Sequence, residues 1–421
     1  MTKKYSPHLL LTLGMVFSAM AFAEVASHPQ ALKLQSRVDH IDTLAREPMI
    51  VQHPSGALFV SGYPSQVTGR DWTVPPLLWR SEDDGRSWIR ADLGSSSDGA
   101  QGNSDVDMSV APDGTLYLTS MGFDRDTREG THVAMGVSTD IGKAWRWQFL
   151  SQNRLDDRPW VAVGDNGVAH AIWNGSAGVS YTQSSDQGVT WSTPLAIAKS
   201  GGSSHLAVGP AGRLAVRVSP IGASANIFDA EADYLLISSD DGVTWTRQAI
   251  PAPIEWDPTL TDASAVPRWV EPLAWTEDGY LHHVWSEGSV LNYGVSDDLG
   301  ASWSISTIFT TDGTAFYPFL TSNGSNKLAA TWFVKNSQGL SAHLAQLNRR
   351  PNARGIEVLK AAPFVPDAWN ETTEQRTLSP AGEYIPVSFL ANGDLAVVSP
   401  IQNIHDDRWG FSFWRFAVGS K

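Results

Sequence analysis

The chain has 421 residues, of which 42% are hydrophobic and 18% charged, a composition typical of a globular protein with a large core. Its formal net charge is −14, and no basic stretch offsets this charge, so we expect neither nucleic acid nor an anionic membrane surface as a partner. The chain contains no cysteine, which excludes disulfides, so the fold must be held together by packing.

The first residues have the pattern of a secretory signal. Lys3 and Lys4 precede an apolar run from Leu9 to Phe22, and small residues at the end of this run offer a cleavage site after Ala23. The run is shorter than the roughly 20 apolar residues that a membrane-spanning helix needs. We therefore predict a cleaved signal peptide at 1–23 and export to the periplasm or the medium. The rest, 24–421, is predicted to be one domain without a membrane span.

An eight-residue motif, Ser-x-Asp-x-Gly-x-x-Trp, recurs along the chain. Its five copies begin at Ser81, Ser138, Ser184, Ser238 and Ser296. Successive motif tryptophans are 57, 46, 54 and 58 residues apart. The aspartate can bond nearby backbone N–H groups, the glycine permits a positive φ, and the tryptophan packs into the core. The motif therefore predicts hairpin turns with a structural role, and we expect none of its aspartates to be catalytic.

A second repeat lies upstream of the first in each unit, as a turn followed by a short strand of alternating apolar residues. A glycine ends the turn in six units, at Gly56, Gly114, Gly167, Gly212, Gly279 and Gly393. A seventh copy has Asn326 at the glycine position, and asparagine tolerates the same backbone conformation. Alternation with a period of two residues predicts strands and not helices.

Together the two repeats predict an all-β fold, a seven-bladed β-propeller of four-stranded antiparallel blades. A six-bladed ring is the alternative if Pro351 to Arg376 disrupts the sixth unit. The last unit ends with its third strand, so we predict that Leu32 to Ile41 supplies the missing fourth strand and closes the ring.

The starts of the innermost strands are predicted to surround one mouth of the central channel, where propellers carry their function. These starts contain arginines, carboxylates, tyrosines and a histidine, namely Arg46, Glu47, Asp105, Asp107, Asp156, Asp157, Arg158, His205, Arg268, Glu271, Tyr317, Glu383 and Tyr384. One interpretation is a ring of salt bridges that closes the channel. The other is an anion site, because guanidinium groups bind carboxylates and phosphates with two hydrogen bonds. Trp160 and Trp269 either offer flat faces to a sugar ring or belong to the core.

The turn motif resembles the Asp-box, or BNR repeat, of the sialidase superfamily, and the resemblance covers nearly all of the predicted mature chain. It implies a propeller fold, while the same repeat also occurs in binding and assembly propellers. Sialidases open with an Arg-Ile-Pro strand whose arginine binds the sialic-acid carboxylate, and Arg46-Glu47-Pro48 stands at that position here. Glu47 departs from the family pattern, and a seventh blade departs from the usual six.

The resemblance also implies catalytic roles. Asp71, with Arg70 beside it, lies in the loop where sialidases carry their aspartate acid/base. The family nucleophile is a tyrosine activated by a glutamate, and Tyr384 or Tyr317, with Glu383 or Glu271, are the candidates. Arg158 and Arg268 would complete an arginine triad with Arg46 by their predicted location.

We therefore predict an exported, sialidase-like exo-glycosidase that hydrolyses a terminal acidic sugar, acts as a monomer and needs no cofactor, since no metal-ligand spacing is recognisable. A non-catalytic propeller that binds a glycan or a protein is the first alternative. The second is a uronate polysaccharide lyase, with His205, Tyr317 and Arg268 near the sugar. The strand order further predicts that Asp71 shares a face with Arg46, whereas Asp83 lies on the opposite face.

Overall fold

The protein was analysed as a computed structural model, which describes residues 31–43, 46–64, 71–220, 233–253, 272–349, 356–364, 385–403 and 408–418. Within these ranges, 28 strands form seven four-stranded antiparallel sheets. The sheets follow one another around a common axis as a seven-bladed propeller, so the prediction of seven blades is confirmed and the alternative of six is wrong. Among the described residues, no helix is long and apolar enough to cross a membrane.

Blades 1 to 6 are each built from four strands in sequence order, starting at the axis, and blade 7 takes its fourth strand from the start of the described chain. The inner strands are β2 (Arg46–Gln52), β6 (Ser104–Val110), β10 (Asp157–Val163), β14 (Gly202–Val208), β18 (Leu273–Trp275), β22 (Thr314–Ser322) and β26 (Val387–Phe389). The second strands are β3 (Leu58–Tyr63), β7 (Leu116–Asp124), β11 (Ala169–Gly175), β15 (Leu214–Ser219), β19 (Leu281–Glu287), β23 (Lys327–Asn336) and β27 (Leu395–Asn403).

The outer half of each blade follows the same order. The third strands are β4 (Leu77–Ser81), β8 (Glu129–Ser138), β12 (Gly178–Ser184), β16 (Tyr234–Ser238), β20 (Val290–Ser296), β24 (Gly339–Arg349) and β28 (Arg408–Val418). The fourth strands are β5 (Ile89–Arg90), β9 (Arg146–Ser151), β13 (Leu195–Ala198), β17 (Thr246–Ala249), β21 (Ser304–Thr310), β25 (Ile356–Lys360) and, in blade 7, β1 (Leu32–Ile41). The described residues also include two single-turn 3₁₀ helices, at Ser96–Asp98 and Pro210–Gly212.

The ring is closed by pairing its first strand with its last. β1 runs antiparallel to β28, from Leu32 opposite Val418 to Ile41 opposite Gly410. Arg37 lies over the Trp414 ring at 4.6 Å, and Ser412 donates a hydrogen bond of 2.6 Å to Asp39. Blade 7 is thus made from both ends of the described chain, which ties the first and last blades together.

The turns between first and second strands need a positive φ, which explains the glycines of the second repeat. φ is +94° at Gly56 and +89° at Gly114, and the other four repeat glycines have similar values. The prediction for blade 6 is wrong in one detail. Asn326 does not take the glycine role, because the positive φ falls two residues earlier, at Gly324 (+83°). The Asn326 side chain instead donates to the carbonyl of Arg349, at 2.8 Å.

The five Ser-x-Asp-x-Gly-x-x-Trp motifs are turns between third and fourth strands, and we call them the Ser-Asp-Gly-Trp turns. In blade 1, Ser81 Oγ donates to Asp83 (2.8 Å) and accepts the N–H of Gly85 (2.9 Å). Asp83 also accepts the N–H of Ser87 (2.8 Å), and Trp88 donates to the Gly85 carbonyl (3.1 Å). The serine and aspartate bonds recur in the other four turns. These aspartates hold the turns.

Strand pairing fixes which features share an end of the ring. Arg46 pairs with Tyr63, so the loop from Tyr63 to Leu77, which contains Asp71, begins where the inner strand begins. Ser81 pairs with Leu58 at the other end of the blade, so Asp83 lies on the opposite face. We call the end at which inner strands begin the mouth. The expected separation of Asp71 from Asp83 is confirmed.

Apolar side chains cross the axis of the ring. One buried cluster includes residues from the inner strands of five blades: Met49, Trp160, Leu206, Phe319 and Val387. This layer lies just below the mouth. Other buried clusters fill the space between neighbouring blades, for example between blades 7 and 1. Packing between blades therefore replaces the disulfides that the chain lacks.

Candidate functional site

The inner strands carry a bulge at the same place, next to the mouth. In blades 1, 3, 4 and 6 two residues of the inner strand lie opposite one residue of the second strand, so the inner strand carries one extra residue there. In blade 2 the inner strand also carries one extra residue near its start. Bulges redirect side chains and are frequent at functional sites. The mouth side chains are therefore set by a repeated irregularity that the sequence alone did not reveal.

Three of the bulge residues adopt a left-handed backbone although they are not glycine. They are Glu47 (φ +46°), Arg158 (+49°) and Tyr317 (+47°), and each precedes a proline. A bulky residue in this conformation costs on the order of 1–2 kcal/mol, and such outliers persist where the surrounding structure enforces them. The register makes these three positions equivalent, whereas Arg46 lies one position earlier, equivalent to Asp157. Arg46 and Arg158 are therefore not symmetric members of an arginine ring.

Blades 1 and 2 bring five polar residues together at the mouth, and we call them the mouth cluster: Arg46, Glu47, Tyr63, Asp105 and Arg125. Arg46 Nε is 3.9 Å from Glu47 Oε1, which makes an electrostatic contact rather than a hydrogen bond. The buried hydroxyl of Tyr63 donates to Glu47, and burial together with that carboxylate raises the pKa of Tyr63 well above its usual value. Tyr63 therefore stays protonated and holds Glu47 in place.

Arg125 completes the mouth cluster and lies directly after the second strand of blade 2. Its guanidinium donates to the Asn103 carbonyl at 3.2 Å and lies 4.9 Å from the centroid of the Phe123 ring. Burial lowers the pKa of Arg125, which lies within the electrostatic range of Asp105 and Glu47. Tyr63 and Arg125 had no signal in the sequence, because Tyr63 ends a second strand and Arg125 follows one, and they become neighbours of Arg46 only through strand pairing and the packing of blade 2 on blade 1.

Two carboxyl groups beside the mouth cluster have raised pKa values. Burial raises the pKa of Asp107 to about 7, although the backbone N–H groups of Met108 and Val161 donate to it, both at 2.8 Å. Burial raises the pKa of Asp156 to about 6. Asp107 links the inner strands of blades 2 and 3, so its role is to join blades.

The predicted acid/base Asp71 is exposed and lies outside the mouth cluster. Its carboxylate accepts the N–H of Thr73 at 2.9 Å and the hydroxyl of Thr73 at 2.6 Å. These bonds lower the pKa of Asp71, whereas a general acid needs a raised one. Within the described part of the chain, the structure does not bring Asp71 into contact with Arg46.

The remaining predicted residues divide into two groups. Tyr317 and Trp160 are 2% and 5% exposed, and both belong to the apolar layer below the mouth. For Trp160 this favours the core interpretation over a sugar-stacking face. Six predicted residues lie outside the described ranges: Arg70, Arg268, Trp269, Glu271, Glu383 and Tyr384.

A cavity of about 530 Å³ opens at the opposite end of the channel, where the inner strands end. The charged residues among its lining are Asp165 and Lys327, and no described arginine lines it. The polar side chains of Gln52 and His53 are engaged in hydrogen bonds to their own turns and to a neighbouring blade. We therefore place the candidate site at the mouth. Among the described residues, no group of three histidine or carboxylate side chains could hold a metal ion.

Comparison with known proteins finds similarity of fold only. No family model matches this sequence, and no curated protein matches it. A protein of unknown function from Dyadobacter fermentans has a TM-score of 0.51 at 14% identity, over 92% of this chain and 100% of that chain. The phage phi92 endosialidase has a TM-score of 0.50 at 10% identity, over 93% of this chain and 70% of that one. A sialidase from Streptococcus pneumoniae follows with a TM-score of 0.42 at 14% identity, over 91% and 70%. At identities of 10–14%, the two matches with TM-scores of at least 0.50 concern the fold alone, so the chemistry of this chain has to be argued from its own residues.

Proposed function

We propose that this protein is a sialidase-like exo-glycosidase that hydrolyses a terminal acidic sugar bound at the mouth. The observation that carries the proposal is the mouth cluster, in which two arginines, two carboxylates and a tyrosine meet above an apolar layer. Arginine forks bind carboxylates, and carboxylates stabilise the oxocarbenium-like transition state of glycoside hydrolysis.

The proposed roles follow from position and exposure. The Arg46 side chain is 27% exposed, so its guanidinium can reach a ligand and hold the sugar carboxylate. Glu47, held by Tyr63, stabilises the positive charge that develops on the sugar ring. Asp71 gives its proton to the leaving oxygen, once the incoming sugar displaces its bonds to Thr73 and raises its pKa. Tyr63 and Glu47 thus join Tyr384, Glu383 and Glu271 as candidate tyrosine–glutamate partners, whereas Tyr317 is buried in the apolar layer.

The fold similarity to a protein described as an endosialidase supports a carbohydrate as substrate. Export also fits such a substrate, because glycans of this kind lie outside the cell. We therefore keep the proposal that residues 1–23 are a cleaved signal peptide and that the enzyme works in the periplasm or the medium.

The test is release of sialic acid or uronic acid from fluorogenic glycosides by the purified protein. Arg46→Ala should lower kcat/KM at least about tenfold, because it removes the group that holds the substrate carboxylate. Asp71→Ala should lower kcat more than it changes KM. Asp83→Ala is the matched control, since it removes a carboxylate on the opposite face and should leave turnover unchanged. The absence of turnover on every acidic glycoside would refute the hydrolase.

One observation favours a second candidate, a propeller that binds glycans without cleaving them. The pKa of Asp71 is lowered by Thr73, so the free protein holds this group in the wrong state for a general acid. A glycan array separates the two candidates. Binding of acidic glycans that is lost in Arg46→Ala, without turnover, would establish the binding protein and exclude the enzyme.

A further inference from the structure

The bulge of blade 4 differs from its equivalents in one residue. In blades 1, 3 and 6 the second bulge residue is a proline, Pro48, Pro159 or Pro318, whereas blade 4 has His205 there. Proline brings neither an N–H group nor a polar side chain to this position beside the axis. His205 therefore places a polar ring where three other blades have an inert one.

The imidazole of His205 is surrounded by aromatic rings of two other blades. Its centroid lies 5.3 Å from that of Trp160 and 6.1 Å from that of Phe319, with interplanar angles of 69° and 77°. Trp160 belongs to blade 3 and Phe319 to blade 6, so the three rings reach across the axis. Their edge-to-face packing fixes the orientation of the imidazole.

The hydrogen bonding of His205 is incomplete. Nδ1 is buried and has no hydrogen-bond partner in the described part of the chain, while the ring as a whole is partly exposed. Nε2 therefore lies at the accessible edge. A buried acceptor without a partner is tolerated better than a buried N–H without one, which favours the tautomer with its proton on Nε2. A buried nitrogen without a hydrogen bond lowers the free energy of unfolding by about 1–3 kcal/mol, so such nitrogens are uncommon in folded proteins.

His205 lies at the mouth end of β14. Its bulge is next to the start of that strand, and the apolar layer lies below it. The two described cavities at the opposite end are lined by residues further along the inner strands, and neither includes His205. The imidazole is thus a polar group beside the rings of the apolar layer, at the end of the channel where the proposed sugar site lies.

We propose that His205 is a specificity-determining residue of the mouth, which donates a hydrogen bond from Nε2 to an uncharged hydroxyl group of the bound carbohydrate. The inference rests on the proposed function only in taking a carbohydrate as the ligand. Burial lowers the pKa of His205 to about 4, so the ring is neutral at physiological pH and is a poor base. Recognition of a hydroxyl group suits such a ring better than the proton abstraction that a lyase would require.

The experiment follows the imidazole nitrogens of the full chain by long-range ¹H–¹⁵N NMR, with His205 assigned by comparison with His205→Phe. The probes are N-acetylneuraminic acid, glucuronic acid and the neutral methyl β-galactoside. In the free protein, His205 should show the Nε2–H tautomer. At least one probe should shift the His205 resonances in a saturable way. His205→Phe should weaken the binding of that probe about tenfold, or by about 1.4 kcal/mol. His205→Asn keeps a donor and should recover part of the affinity.

His343→Phe is the matched control. His343 also packs on an aromatic ring, at 5.4 Å from Trp332, and its pKa is also lowered to about 4, but it lies on a third strand away from the axis. This variant should bind each probe as the native protein does. If acidic probes bind and leave His205 unmoved, the inference fails while the proposed function stands. If only the neutral probe shifts His205, the inference stands and the acidic substrate is wrong. If no probe shifts it, the inference is overturned.

Discussion

At the scale of single residues, the mouth is organised by backbone conformations that side chains other than glycine rarely adopt. Glu47, Arg158 and Tyr317 share the same bulge position and nearly the same positive φ, although their side chains differ in charge and shape. The backbone conformation is repeated, while the side chain at that position varies. This is the pattern expected where strain is retained to place side chains for function.

Arg158 allows this strain to be measured, because its side chain is partly exposed and its removal leaves no large cavity. Arg158→Gly should be more stable than Arg158→Ala by about 1 kcal/mol, since glycine adopts a positive φ without the steric cost that alanine keeps. The measurement is the free energy of unfolding in urea. At the exposed strand position Arg146, where φ is not positive, the same two substitutions should rank in the reverse order. A glycine variant less stable than the alanine variant at Arg158 would show that the residue is unstrained.

At the scale of elements, closure of the ring depends on how closely β1 approaches β28. A side chain added at Gly410 would overlap the backbone carbonyl of His40 on the facing strand. Backbone atoms cannot move aside as a flexible side chain can, so even one methyl group forces the two strands apart. The glycine therefore serves close approach.

Gly410→Ala should lower the free energy of unfolding by about 1–3 kcal/mol, the usual cost of overpacking, and should loosen β1. Limited trypsin digestion gives a direct measurement, because Lys33 and Arg37 lie within β1 and become cleavable when it detaches. Ser412→Ala is the control on the same strand, since it loses one hydrogen bond to Asp39 without adding atoms. Equal protection of Lys33 and Arg37 in Gly410→Ala and the native protein would contradict this account of closure.

At the scale of the whole molecule, buried histidines determine how stability depends on pH. His170 and His282 occupy corresponding sites in blades 3 and 5, where each ring bonds a tyrosine hydroxyl, Tyr181 or Tyr293, at 2.8 and 2.7 Å. Burial lowers the pKa of His170 to about 4 and that of His282 to about 3. The unfolded chain therefore binds protons below about pH 6.5 that the folded chain does not take up.

The free energy of unfolding should consequently fall as the pH drops from 7 to 4.5, by up to about 1.4 kcal/mol per pH unit for each of these histidines. Asp107 acts in the opposite sense, because its raised pKa favours the folded state below about pH 7. Urea unfolding across this range should show a smaller decline in His282→Asn and a steeper decline in Asp107→Asn than in the native protein. Stability that rises on acidification in the native protein would contradict the prediction.

The architecture could be predicted from the sequence because a propeller repeats its local signals. The Ser-Asp-Gly-Trp turns and the glycine-led strands depend on contacts within a few residues, so each blade can be recognised from a short stretch of sequence. Where a local signal was ambiguous, the prediction was wrong. The positive φ that was expected at Asn326 is found at Gly324. The predicted mouth positions of Arg46 and Arg158 depend only on the start of an inner strand, so the sequence located them as well.

Only the tertiary structure decided which residues meet at the mouth. Tyr63 and Arg125 join Arg46 because strands pair and neighbouring blades pack, contacts that connect positions far apart in the chain. The bulges, the burial of Trp160 and the incomplete bonding of His205 likewise have no signature in sequence, since each results from what packs around the axis. The sequence thus determined a seven-bladed ring through short-range turn chemistry, while long-range packing decided which charges meet, where the backbone is strained and which apolar side chains lie below the candidate site.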